Sequence, residues 1–255
     1  MTQREPELPA AAAPTGTVWL WYLAGAEIAL AASSLSARKA LSSAEWHRHD
    51  QLRVEADQTR FISARILLRS MLARFAGTPA SAWVFQTNKN GRPMVAEPES
   101  QSDLRFSITH TDGLVACAVA NGFDVGVDAE AHNRATDFLA VAARFFAPPE
   151  IDDLLAARPS DQAPMFYDQW TLKESFIKAI GEGLAAPLDL FAFDLRGSSP
   201  QISFTDKVFD HTGRWHFSLW RLTGAHSMAL AIRRPASDNV TIDVVAMTAD
   251  ALKSG

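Results

Sequence analysis

Phe61, Ala64, Leu68, Met71, Leu72 and Phe75 recur at three- and four-residue intervals, which places them on one face of an α-helix. A helix this long with a single apolar stripe has to be covered by another layer. The spacing predicts a helix over residues 50–75, stopped by Gly77 and Pro79. A second long helix is expected over 164–180, ending at Gly181-Glu182-Gly183. Short apolar runs suited to strands surround both, at 18–23, 82–85, 104–108, 114–120, 125–129, 202–204, 215–221 and 228–232. Turns at Asp112-Gly113 and Asn121-Gly122 join several of them as hairpins. Ser42-Ser43-Ala44-Glu45 has the form of a capping box, a further helical stretch is expected over 138–146, and Pro148-Pro149 restarts a helix at Glu150. Helices and hairpin-linked strands thus alternate in two similar blocks, an α+β fold with mostly antiparallel strands.

The expected organisation is a flexible tail at 1–16, an N-terminal lobe at 17–121, a C-terminal lobe at 122–247 and a short tail at 248–255. Cys117 is the only cysteine, which excludes an intramolecular disulfide framework and a Cys-rich zinc site and fits a reducing cytoplasm. A net charge of −5 argues against a surface for nucleic acid. The apolar stretch at 18–32 is too short to span a bilayer and contains Glu27, so no membrane association is expected. Residues 38–75 nevertheless carry eight basic side chains against four acidic ones. That excess is either a solvated helix face or an attractor for a small polyanion.

Phosphate-loop, dinucleotide-binding, nucleophile-elbow and zincin signatures are absent. Ser175-Phe176-Ile177-Lys178 and Ser237-Asp238-Asn239 match two of the three signatures of penicillin-recognising serine enzymes, but the Lys-Thr-Gly triplet is missing and Ser175 falls inside its helix. In Val125-Gly126-Val127-Asp128-Ala129-Glu130, the two acids lie two apart on a strand and share a face. Such a pair is either an exposed polar face or a hard-oxygen site for magnesium. Glu174 and Lys178 lie four apart on the second helix, one turn after Trp170. They read as an ordinary ion pair, or as a third carboxylate with an ammonium for a phosphate.

Together these segments resemble the Sfp-type 4′-phosphopantetheinyl transferases. Val125 to Glu130 matches the family's (I/V)GxDxE signature, and Trp170-Thr171-Leu172-Lys173-Glu174-Ser175-Phe176-Ile177-Lys178, followed by Gly181-Glu182-Gly183-Leu184, matches its W(S/T)xKE(S/A)xxK signature. Asn90-Gly91-Arg92-Pro93 resembles the G(K/R)P turn, and Phe106-Ser107-Ile108-Thr109-His110 the (F/L)(N/S)xSH strand. The likeness runs from about residue 17 to 235. Thr109 stands at the family's serine or threonine position, while Glu45 and Arg48 stand where lysines often precede the arginine matched by Arg60.

The resemblance implies a two-lobed α+β monomer with pseudo-twofold symmetry and coenzyme A between the lobes. By that pattern Asp128, Glu130 and Glu174 hold Mg²⁺, and Lys178 contacts the pyrophosphate. Arg60, Gly91, Arg92, Pro93, Thr109 and His110 hold the 3′-phosphoadenosine end. The implied reaction moves the phosphopantetheine arm to a serine hydroxyl of an apo acyl or peptidyl carrier protein, with Glu174 relaying the serine proton and 3′,5′-ADP leaving. Such carriers serve fatty-acid, polyketide or non-ribosomal peptide biosynthesis, and exposed residues around Phe145, Phe146 and Pro148-Pro149 are expected to meet them. The alternatives are a coenzyme A-binding protein without turnover, coenzyme A hydrolysis without an acceptor, and a penicillin-recognising serine acyl enzyme using Ser175 and Lys178.

Overall fold

The computed structural model describes residues 16–101, 103–132, 137–182, 187–205, 212–222, 224–234 and 239–254. The expected N-terminal tail, apart from Gly16, lies outside the described residues, as do Gly183, Leu184, Ser237 and Asp238. In chain order the elements are β1 (Thr17–Ala24), α1 (Ala26–Ser33), α2 (Leu35–Arg38), α3 (Ser43–Asp50), α4 (Glu55–Ala76), β2 (Val84–Thr87), β3 (Pro93–Glu97), β4 (Leu104–Thr111), β5 (Leu114–Asn121) and β6 (Asp124–Ala131). They continue with α5 (Phe138–Phe145), α6 (Pro148–Ala156), α7 (Pro159–Ile180), β7 (Phe191–Asp194), β8 (Gln201–Phe204), β9 (Trp215–Leu222), β10 (His226–Arg233) and β11 (Thr241–Ala246). The fold is α+β, and among the described residues every strand pair is antiparallel except β1 with β11. The chain divides into two compact units: Met1–Lys89 with Pro93–Phe123 and Asn239–Gly255, and Asn90–Arg92 with Asp124–Asp238.

In the first unit, α4 covers a sheet of order β11-β1-β5-β4. Its apolar stripe meets Trp19, Trp21, Phe106 and Val119 in one core, and Phe75 stacks on Trp19 with ring centroids 4.2 Å apart. All of β5 except Asn121 is buried, so it reads as a continuous apolar run. The helix expected from residue 50 starts at Glu55, because α3 precedes it as a separate element. The capping box forms at the head of α3: the Glu45 backbone N–H donates to Ser42 Oγ, and the Ser42 backbone N–H to Glu45 Oε2 at 2.8 Å. Gly77, at φ 63°, ends α4 in the left-handed conformation that a residue with a Cβ resists. The basic excess is partly internal, since Arg69 is buried and its guanidinium donates to Glu45 and to the Ala80 carbonyl.

The second unit repeats this plan, with α7 against a sheet of order β6-β10-β9. This helix begins five residues before its expected start and contains Pro164. A proline that close to the N-terminus forgoes only one helical hydrogen bond, which the packed helix tolerates. Gly181, at φ 72°, ends it. The strands β3, β7 and β11 were not expected from the sequence. Thr17–Tyr22 pair in parallel with Thr241–Ala246, so residues 239–247 belong to the first unit and not to the second lobe. The expected tail after 247 instead forms a short 3₁₀ turn, Ala251–Ser254, with Leu252 buried in the first core. Residues remote in sequence make this pairing, which local periodicity does not reveal.

Candidate functional site

On the face of β6 toward α7, alternation brings Gly126, Asp128 and Glu130 into one row. A Cβ built at Gly126 would lie 2.0 Å from the Ser175 carbonyl oxygen and 2.5 Å from the Ala179 nitrogen. Helix and strand therefore touch backbone to backbone, a contact only glycine permits. Across this contact the Lys178 ammonium donates to Asp128 Oδ1 at 2.8 Å. The i,i+4 spacing suggested Lys178 as a partner of Glu174; the ion pair found here crosses from helix to strand instead.

Glu174 is half-buried on the same helix face, with Oε1 lacking a hydrogen-bond partner among the described residues. Burial, and then the charges of Asp128 and Glu130 against the opposing effect of Lys178, push its carboxyl up to about 7. The charges of Asp128 and Glu130 thus oppose ionisation of Glu174, the condition a divalent cation relieves. Among the described residues no three His, Cys, Asp or Glu side chains close around a single point as a finished metal cage. The donor set of carboxylate oxygens, among them Glu174 Oε1 and Asp128 Oδ2 with no hydrogen bond among the described residues, fits a hard cation.

The other expected residues fall in two places. In the first unit, Arg60 on the opening turns of α4 bonds Asp57 and reaches Asp112, in the turn after β4, at 3.6 Å. His110 is exposed on the β4 face that carries Phe106 and Ile108, whereas the buried Thr109 points to the opposite face. Pro93 opens β3. In the second unit, Asn90, Gly91 and Arg92 lie at the end of α7: Arg92 donates to the Ala179 carbonyl at 2.7 Å and Asn90 Nδ2 to the Gly181 carbonyl at 3.0 Å. Arg92, expected to grip phosphate, thus commits guanidinium donors to protein acceptors.

Two groups received no role from the sequence reading. Lys173, inside the helix motif, is fully buried and donates to Glu150 Oε2 and to the Leu188 and Phe191 carbonyls. Burial lowers the Lys173 pKa and raises that of Glu150, each opposed by the partner's charge. Asp168 accepts from Arg221 and from Ser227, which also bonds His132, and Ser227 lies opposite Glu130 in register. For Lys173 the available signal was its place inside the motif, and for Asp168 a polar residue mid-helix two positions before it.

One expectation is corrected and one alternative removed. Phe146 is buried in the cluster with Leu154, Phe166 and Tyr167, stacked 5.3 Å from Phe166, so it belongs to the core and not to an exposed docking surface. Ser175 is completely buried and its hydroxyl donates to the Leu172 carbonyl, which leaves it unable to act as an acyl nucleophile. Glu45, standing where a lysine was looked for, is the buried partner of Arg69.

The family model described as 4′-phosphopantetheinyl transferase superfamily matches residues 124–232, and the one described as 4′-phosphopantetheinyl transferase, N-terminal, matches 30–121. The chain is 34% identical over 140 residues to a 4′-phosphopantetheinyl transferase of Bacillus subtilis, covering 55% of this chain and 60% of that protein. It is 35% identical over 179 residues to the 4′-phosphopantetheinyl transferase Sfp of Bacillus subtilis strain 168, covering 70% of this chain and 76% of the relative. The chain thus spans about 60% of the length of the first of these relatives. A holo-(acyl-carrier-protein) synthase from Bacillus anthracis, solved with CoA (3′,5′-ADP), superposes on 43% of this chain and 94% of its own with 18% identity and a TM-score of 0.36.

Proposed function

Because the chain belongs to the 4′-phosphopantetheinyl transferase family, we propose that it transfers the phosphopantetheine arm of coenzyme A to a serine hydroxyl of an apo acyl or peptidyl carrier protein. The observation that carries this reading is the contact at Gly126, which sets Asp128, Glu130, Glu174 and Lys178 on facing surfaces of β6 and α7. Four charged groups serve a transfer that needs mainly positioning and charge neutralisation.

Asp128, Glu130 and Glu174 are the residues to hold Mg²⁺, which when bound neutralises pyrophosphate charge. Ionised Glu174 takes the proton of the carrier serine as its oxygen attacks the β-phosphorus. The bond from that phosphorus to the bridging oxygen breaks, and 3′,5′-ADP leaves with the bonding electrons. Lys178 exchanges Asp128 for the pyrophosphate oxygens, a swap open to an ammonium on a flexible stem. Arg60, Gly91, Pro93, Thr109 and His110 hold the 3′-phosphoadenosine end. No described helix is long and apolar enough to cross a membrane, and the reading places a monomer in the cytoplasm.

The test is incubation with coenzyme A, Mg²⁺ and a panel of apo carrier proteins, followed by intact-mass measurement of each carrier. A magnesium-dependent gain of one phosphopantetheine group, lost in Asp128→Ala, supports the reading. Coenzyme A binding without transfer to any carrier overturns it in favour of a binding protein, and 3′,5′-ADP release without a carrier in favour of hydrolysis.

A further inference from the structure

We propose that Arg92 is a positioning residue for Lys178: with Asn90 it clamps the last turn of α7 to the start of β6. The kinetic part of this inference rests on the transferase reading above. A helix ends with carbonyls that have no partner within it. In α7 the Gly181 N–H takes the Ile177 carbonyl, Arg92 takes Ala179, and Asn90 takes Gly181. A guanidinium at this end also faces the negative pole of the helix. The same guanidinium reaches Asp124 Oδ1 at 3.3 Å and the Val125 carbonyl at 3.5 Å. One planar fork thus joins the first residues of β6 to the residue following Lys178.

Two residues further along β6, Gly126 fixes the helix–strand distance, and two beyond that Asp128 receives Lys178. A clamp at one end of this row sets the angle at which Lys178 is offered. Lysine cannot reproduce it, because a single ammonium on a flexible stem cannot span acceptors on two elements as the five-donor fork does. The Arg92 side chain retains 13% exposure, so binding a phosphate would require breaking these bonds.

The test compares wild type, Arg92→Lys and Asn90→Ala, each alone and combined with Lys178→Ala. Transfer is measured with coenzyme A and with dephospho-coenzyme A, and hydrogen–deuterium exchange is followed over residues 176–182. Arg92→Lys should lower kcat between about ten- and a hundredfold while KM for coenzyme A stays within about twofold. The same loss should appear with dephospho-coenzyme A and vanish in the Lys178→Ala background. Exchange at the end of α7 should quicken in both Arg92→Lys and Asn90→Ala. A loss confined to coenzyme A would overturn the proposal, assigning Arg92 to the ribose phosphate. So would losses that multiply with Lys178→Ala, or a lowered melting temperature with kcat per folded molecule unchanged. If the wild type transfers to no carrier, the transferase reading fails, while the exchange measurement alone still upholds or refutes the clamp.

Discussion

Gly126 lies against the backbone of Ser175 so closely that a Cβ there would fall 2.0 Å from the Ser175 carbonyl oxygen. Both neighbouring atoms under 3 Å are backbone, so the helix itself would have to move. Gly126→Ala should therefore cost about 1–3 kcal/mol of stability from overpacking, read as a lower urea midpoint. Transfer per folded molecule should fall about a hundredfold, because Asp128 and Lys178 separate with the two elements. Unchanged stability and activity would show that the contact has slack.

The Lys173–Glu150 pair tests a different part of the second unit. Both groups are buried at 2.7 Å, tying α7 to α6 and to the segment entering β7. Removing one partner leaves an uncompensated buried charge, so Lys173→Met and Glu150→Gln should each destabilise by about 3–5 kcal/mol. The double variant Lys173→Met/Glu150→Gln should recover part of that loss. Denaturant unfolding of the three variants supplies the cycle, and purely additive costs would refute the coupling.

The Glu174 carboxyl, raised from 4.5 to about 7, gives a signed dependence on pH. Between these values the unfolded chain has released the proton and the native state still holds it. Native stability from this group is therefore greatest below pH 4.5 and declines as pH rises to about 7. Without divalent cations, wild type should lose on the order of 1–3 kcal/mol relative to Glu174→Gln between pH 5 and 8. Added Mg²⁺ should offset the loss above pH 7, because it favours the ionised carboxylate. Parallel pH profiles for the two proteins would contradict the shift.

Glu174 also carries the chemical test. On the proposed reading Glu174 is proton acceptor and metal ligand together, so Glu174→Gln should lower kcat by about 10²–10⁴-fold, more than it weakens Mg²⁺ binding measured by calorimetry. Asp128→Asn should weaken Mg²⁺ binding and lower kcat in proportion. Proportional losses in both variants would leave Glu174 a ligand only.

Much of the fold was legible because its signals are local. The apolar stripe of α4, the capping box at Ser42 and Glu45, and the stops at Gly77 and Gly181 depend on residues a few positions apart. The helix and strand motifs likewise named Asp128, Glu130, Glu174 and Lys178, since period-2 and period-3.6 spacing assign faces without tertiary knowledge. Less legible were β3 and β7, short hairpin partners of β2 and β8 with few residues to show a period, and β11, whose partner β1 lies at the other end of the chain.

The sequence by itself determined which residues share a face, where the long helices stop, and the family to which the motifs point. Tertiary structure alone decided which of those residues pair. It gave Lys178 to Asp128, Lys173 to Glu150, Arg92 to the end of α7, and residues 241–246 to the first unit. The division has a physical cause. Backbone periodicity acts over a few residues, whereas an ion pair forms wherever packing brings two charges together after the chain has closed loops of tens to hundreds of residues.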